Sequence, residues 1–100
     1  MNKVHETAAR VWFQCPGCKC AHAIAKGVWG WNGSLENPTF TPSVLTGHPN
    51  EKGEQFAVNR CHSFVTDGKI QFLGDCWHEL KDQTIALPDW HSFSQQEDNL

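Results

Sequence analysis

Tyrosine is absent from this 100-residue chain and methionine occurs once, while tryptophan occurs five times. Long apolar runs are also missing. No stretch approaches the ~20 consecutive apolar residues that a membrane-spanning helix requires, so the expectation is a chain without a membrane segment. Basic excess is lacking too: the formal charge is −3, with eight Lys and Arg against eleven Asp and Glu. A nucleic-acid binder would need a basic face, so that class is set aside. No helical period persists for three turns, and the expectation is a mostly β fold with little helix. No apolar signal-like segment precedes the first cysteine, since Met1–Arg10 is polar and mixed in charge. The five cysteines are an odd number. Both observations argue against a secreted disulfide framework and predict thiolate–metal chemistry in a reducing bacterial cytoplasm.

What is present is a strong punctuation of cysteines. Cys15-Pro16-Gly17-Cys18 is a Cys-x-x-Cys turn whose Pro-Gly favours a tight knuckle holding two thiolates at tetrahedral spacing. Arg10–Gln14 reads as a strand entering the knuckle and Ala21–Ala25 as one leaving it, as in a zinc ribbon. Asn32-Gly33 marks a turn. Pro38 and Pro42 hold an extended path that excludes helix. Val44–Thr46 is predicted as a short strand, and Gly47–Gln55 as an exposed mobile loop. Phe56–Thr66 and Lys69–Cys76 flank Asp67-Gly68, a type I′ hairpin signal. Leu80–Gln83 reads as a turn and Thr84–Leu87 as a last strand. One domain is expected over residues 1–91, with a frayed polar tail at 92–100. At this size a metal would reinforce a small core.

The hairpin divides the chemistry between two faces. A two-residue turn pairs Thr66 with Lys69, and the ladder extrapolates to Arg60 opposite Asp75. Side chains alternate, so Cys61, Ser63, Val65, Ile70, Phe72 and Cys76 share one face. Cys61 and Cys76 become diagonal neighbours about 7–8 Å apart at Cα, suited to two thiolates on one zinc. With Cys15 and Cys18 they make a closed four-cysteine structural site. His22 and His78 compete for the third and fourth positions, and Cys20 points away. The opposite face carries Arg60, His62, Phe64, Gln71, Leu73 and Asp75. There a carboxylate can orient an imidazole, and Ser43, held after Pro42, is the candidate nucleophile of a Ser–His–Asp unit.

Together, Cys15–Cys18, His22, Trp31–Gly33, Pro38–Ser43, Cys61–Asp75, Cys76, His78 and Gln83–Pro88 resemble a family of small phage and prophage proteins. These proteins often carry an automatic "ammonia monooxygenase" label, an activity of large membrane enzymes that this chain cannot house. The Pro-Ser segment and the His-x-Phe-Val pattern further resemble the deubiquitinase-like serine peptidase of bacterial ubiquitin-related operons. That resemblance implies Ser43 as nucleophile and His62 as base, with Asp75 or His78 as third member. A peptide or ubiquitin-like tail would be the substrate, with Trp29, Trp31 and Gly47–Gln55 as groove walls. Two alternatives stand beside this hydrolase: a non-catalytic module that binds a host protein and carries a structural zinc, and a hydrolase with a catalytic zinc. If His62 shares the metal's face, the serine model fails.

Overall fold

The structure is a computed structural model and describes residues 1–91; the polar tail expected at 92–100 lies outside the described residues. The described residues form no helix, so none is long and apolar enough to cross a membrane. Strands build three antiparallel sheets. The first joins β1 (Val4–Glu6), β2 (Arg10–Cys15) and β3 (Cys20–Ala25) in that order. The second is a short ladder of β4 (Gly30–Trp31) and β5 (Phe40–Thr41). The third runs β6 (Val44–His48), β7 (Val58–Thr66), β8 (Lys69–Phe72) and β9 (Thr84–Ala86).

Alternation explains the packing. Val11, Phe13 and Cys15 of β2 are buried, as are Cys61, Ser63 and Val65 of β7 and Ile70 and Phe72 of β8. Period-two burial of this kind places one face of each sheet on the core. Val4, Ile24, Phe40, Val44 and Leu87 complete that core. Phe13 packs on Phe40 with ring centroids 5.7 Å apart, joining the first and second sheets. Both Asp67 (φ 49°) and Gly68 (φ 77°) have positive φ, as a type I′ turn requires. The ladder behind them pairs Thr66–Lys69 through Ser63–Phe72 in the expected register.

Beyond Phe72 the extrapolated register gives way. The Leu73 amide still donates to the His62 carbonyl (2.9 Å), but the Cys76 amide turns back onto the Leu73 carbonyl (3.2 Å). The Trp77 amide then reaches the Arg60 carbonyl (2.8 Å), so Arg60 faces Trp77 where Asp75 was expected. Gly74 and Asp75 lie in this turn rather than in the strand. A bulge of this kind re-aims side chains at a sheet margin. The shift is by two residues, so the faces are not exchanged.

Other departures are local. The region expected to be a mobile loop opens as strand through His48, then folds around Asn50, whose Oδ1 accepts from the Lys52 and Glu54 amides (3.0 Å each). Gly47 sits at the register shift with φ 149°, and a side chain there would crowd the Phe56 and Arg60 Cα atoms. β1 was not expected, because the polar N-terminal segment hides a single buried apolar residue, Val4.

Candidate functional site

Ser43 directly precedes β6, and β6 pairs with β7 so that Leu45 faces His62. Ser43, two residues before Leu45, is therefore the diagonal neighbour of His62 on one sheet face. Its Oγ lies 3.0 Å from His62 Nε2. On the other side of the ring, His62 Nδ1 lies 3.2 Å from Asp75 Oδ2. A carboxylate can only accept, which assigns the imidazole proton to Nδ1 and leaves Nε2 to accept from the Ser43 hydroxyl. The bulge after Leu73 brings Asp75 to this position although it has left the strand. Desolvation is the largest single influence and pushes the Asp75 carboxyl up. The His62 hydrogen bond, its own amide, the His62 charge and the Arg60 guanidinium outweigh that and hold it below the usual carboxylate range. The Trp29 indole N–H donates to the Ser43 carbonyl (3.2 Å) and steadies the segment that carries the hydroxyl.

Cys61 lies on the opposite, buried face of β7, where Cys15 and Cys18 meet it from the first sheet. Cys15 and Cys20 close the β2–β3 hairpin as a directly opposed pair, with Cys18 in the turn between them. Cys15 Sγ lies 3.8 Å from Cys61 Sγ, and the Cys18 amide donates to Cys15 Sγ (3.4 Å). Cys15, Cys18, His22 and Cys61 offer ligand atoms within 4.8 Å of one another. A second group, Cys61, Cys76 and His78, shares Cys61. None of the five cysteines forms a disulfide. Hydrogen bonding from Cys61, helped by His22, draws the Cys15 thiol well below its ordinary value against the effect of burial; Cys61 is driven up by the same bond and by burial. Burial chiefly pushes the Cys18 thiol up to about 11. Among the described residues, His22 Nε2 and His78 Nδ1 are buried with no hydrogen-bond partner, a costly state that a bound cation would relieve at one of them. The donor set, sulfur and imidazole within 4.8 Å of one another, is compatible with a bound metal ion.

Of the expected ligands, Cys15, Cys18 and Cys61 converge, and His22 completes their group rather than Cys76. Cys76 Sγ instead meets the His62 main chain, 3.3 Å from its N and 3.2 Å from its O. A thiol can accept the one and donate to the other. His78, the alternative third member of the triad, lies on the thiol face: its Nε2 is 3.5 Å from Cys61 Sγ, and its ring stands edge-on to Phe72. That ring also rests against Gly17, where an added Cβ would fall 2.2 Å from it. Gly17→Ala is therefore expected to cost about 1–3 kcal/mol through overpacking. Thermal denaturation measures this, and an unchanged midpoint would contradict the packing.

A groove of about 290 Å³ opens on the thiol side, between Ala21 and His22 of β3 and Thr46 and His48 of β6, with Trp77 on its rim. It includes Gly47 and His48 from the expected groove wall, whereas Trp29 and Trp31 do not line it. The Trp31 indole N–H is turned to the Ser34 carbonyl (3.3 Å). Trp29 and Cys76, which brace the serine and the histidine, carried no sequence signal for those contacts. The alternation of the hairpin places Arg60 on the His62 face, while its contact with Asp75 comes from the turn and not from the expected pairing of the two residues.

No curated protein and no solved structure matches this chain. A protein-family model does match, over residues 1–73, a span that contains Ser43 and His62 and stops short of Asp75, Cys76 and His78. With nearly three quarters of its length matched, and with a serine and a histidine of that span in hydrogen-bond contact, the chain belongs to the family of the bacterial ubiquitination-like system serine protease (BubE).

Proposed function

We propose that this chain is a small serine peptidase that cuts a peptide bond in the C-terminal tail of a ubiquitin-like protein, with Ser43, His62 and Asp75 as its triad. The observation that carries the reading is the continuous contact from Ser43 Oγ through His62 to Asp75 Oδ2, at 3.0 and 3.2 Å. Ser43 Oγ attacks the scissile carbonyl carbon while its proton passes to His62 Nε2. The C–N bond breaks, and the leaving amine takes that proton. Water, deprotonated by His62, then hydrolyses the ester on Ser43. Asp75 keeps the imidazole in its productive tautomer and stabilises the imidazolium. Ser43 stands at the start of β6, an edge of the four-stranded sheet. An extended tail adding to that edge would be delivered to the hydroxyl.

The same reading gives Cys15, Cys18, Cys61 and His22 a structural zinc, in the reducing cytoplasm of the bacterial cell. Bound there, the ion supplies cross-linking between the β2–β3 knuckle and β7. His62 favours this over a catalytic metal, because its side chain faces away from the thiols and both ring nitrogens are engaged. Cys76→Ser is expected to keep the metal, since a hydroxyl can also donate to the His62 carbonyl; metal content by native mass spectrometry checks this. Loss of the ion from that variant would make Cys76 a ligand.

The test of the function is intact-mass analysis after exposure to a fluorophosphonate probe, followed by incubation with a ubiquitin-like domain carrying a C-terminal peptide extension. One adduct and clipping of the extension are expected from the wild type, and neither from Ser43→Ala. A folded, metal-loaded wild type that takes no adduct and clips nothing would leave the chain as a binding module.

A further inference from the structure

We infer that Arg60 is a positioning residue of the triad, holding Asp75 against His62; the inference rests on the triad proposed above. Asp75 lies in a turn outside the sheet, so strand pairing does not fix its carboxylate. Two side chains converge on the same oxygen, Oδ2: His62 Nδ1 at 3.2 Å and Arg60 Nη1 at 3.4 Å. The guanidinium is itself anchored, because Arg60 Nε donates to the Phe56 carbonyl (3.0 Å). Phe56 has a positive φ of 58°, the backbone turn from which that carbonyl is presented. Arg60 also accepts the Trp77 amide on its own carbonyl (2.8 Å), which closes the turn containing Asp75 from the main-chain side. One residue therefore grips both ends of the problem: the path of the turn and the direction of the carboxylate.

As an exposed ion pair the contact adds little to folding stability, since such pairs contribute about 0–1 kcal/mol. Its value is geometric. An arginine fork offers several donors at fixed angles, so the carboxylate can be held by one nitrogen while another is tied to the backbone. Lysine would keep the charge but could not hold both partners.

The test compares Arg60→Ala and Arg60→Lys with the wild type, alone and combined with Asp75→Asn, in the full chain. The readouts are the rate of fluorophosphonate labelling and the water-exchange protection of the His62 Nδ1 proton by NMR. Arg60→Ala should slow labelling by about tenfold and expose the Nδ1 proton, with Arg60→Lys intermediate. Added to Asp75→Asn it should slow labelling no further, because the two act as one unit. An equal loss in the Asp75→Asn background would mean a merely structural role and overturn the inference, as would an unchanged rate and unchanged protection. If the wild type takes no label at all, the peptidase reading fails. Loss of Nδ1 protection in Arg60→Ala would then still establish the positioning, and its persistence would refute it.

Discussion

Asp75→Asn is expected to slow acylation of Ser43 by about 10⁴-fold while leaving the fold and metal content intact. The size follows from the tautomer. In the wild type, Asp75 Oδ2 accepts from Nδ1, so Nε2 faces the Ser43 hydroxyl with a free lone pair. An amide at position 75 can present its NH₂ to the ring, and His62 then carries its proton on Nε2, where it cannot receive one from serine. Ser43→Ala and His62→Ala should abolish the adduct altogether. The substitution at 75 is the more informative one, because the family match ends before that residue and its role rests on geometry. The second-order rate of probe labelling is the measurement. An undiminished rate in well-folded Asp75→Asn would remove Asp75 from the triad.

Removal of the metal should have the largest effect on stability. A structural zinc in a small domain contributes about 10–16 kcal/mol of apparent binding energy near neutral pH, which rivals the whole stability of a typical domain. Cys15→Ser and Cys61→Ser, or chelation of the wild type, are therefore expected to abolish the cooperative thermal transition. Both thiols are buried at the junction of the two larger sheets, so an ion bound there would link segments 46 residues apart in sequence. Cys20 is the control: it is exposed and outside both ligand groups, and Cys20→Ser should change stability by no more than about 0.5 kcal/mol. Metal affinity should also fall as the pH is lowered, since protons compete with the ion for thiolates, and burial and neighbouring thiols push Cys18 and Cys61 up. Metal analysis beside calorimetry tests all of this. A chelated protein that melts as the loaded one does would refute a structural ion.

How much of this was legible in the sequence depends on the range of the interaction. The Asp67-Gly68 turn fixes a register locally, and from it period-two alternation separates His62 from Cys61 without reference to anything else. The Cys15–Cys18 knuckle is likewise a local statement, because its geometry lies within four residues. The pairing of Ser43 with His62 came from the rigid Pro42-Ser43 segment and the family resemblance, and the structure brings the two into contact through the β6–β7 ladder.

Local pattern failed where two distant segments compete for one place. Gly74 marks a candidate bulge in the sequence, but extrapolating the hairpin ladder to Asp75 does not reveal that Trp77 is the residue whose amide meets Arg60. Past that turn Cys76 Sγ meets the His62 main chain, while His22 joins the group of Cys15, Cys18 and Cys61. His22 reaches that group from β3, through a sheet whose approach to β7 no spacing in the sequence encodes. The sequence alone determined the mostly β character, the knuckle and the two-faced hairpin, because each follows from neighbours along the chain. Only the tertiary structure decided the completion of the thiol group, the bracing of Ser43 by Trp29 and the grip of Arg60 on Asp75. Those depend on how separate sheets and turns pack, a balance of burial and hydrogen bonding that closes only when the whole core is assembled.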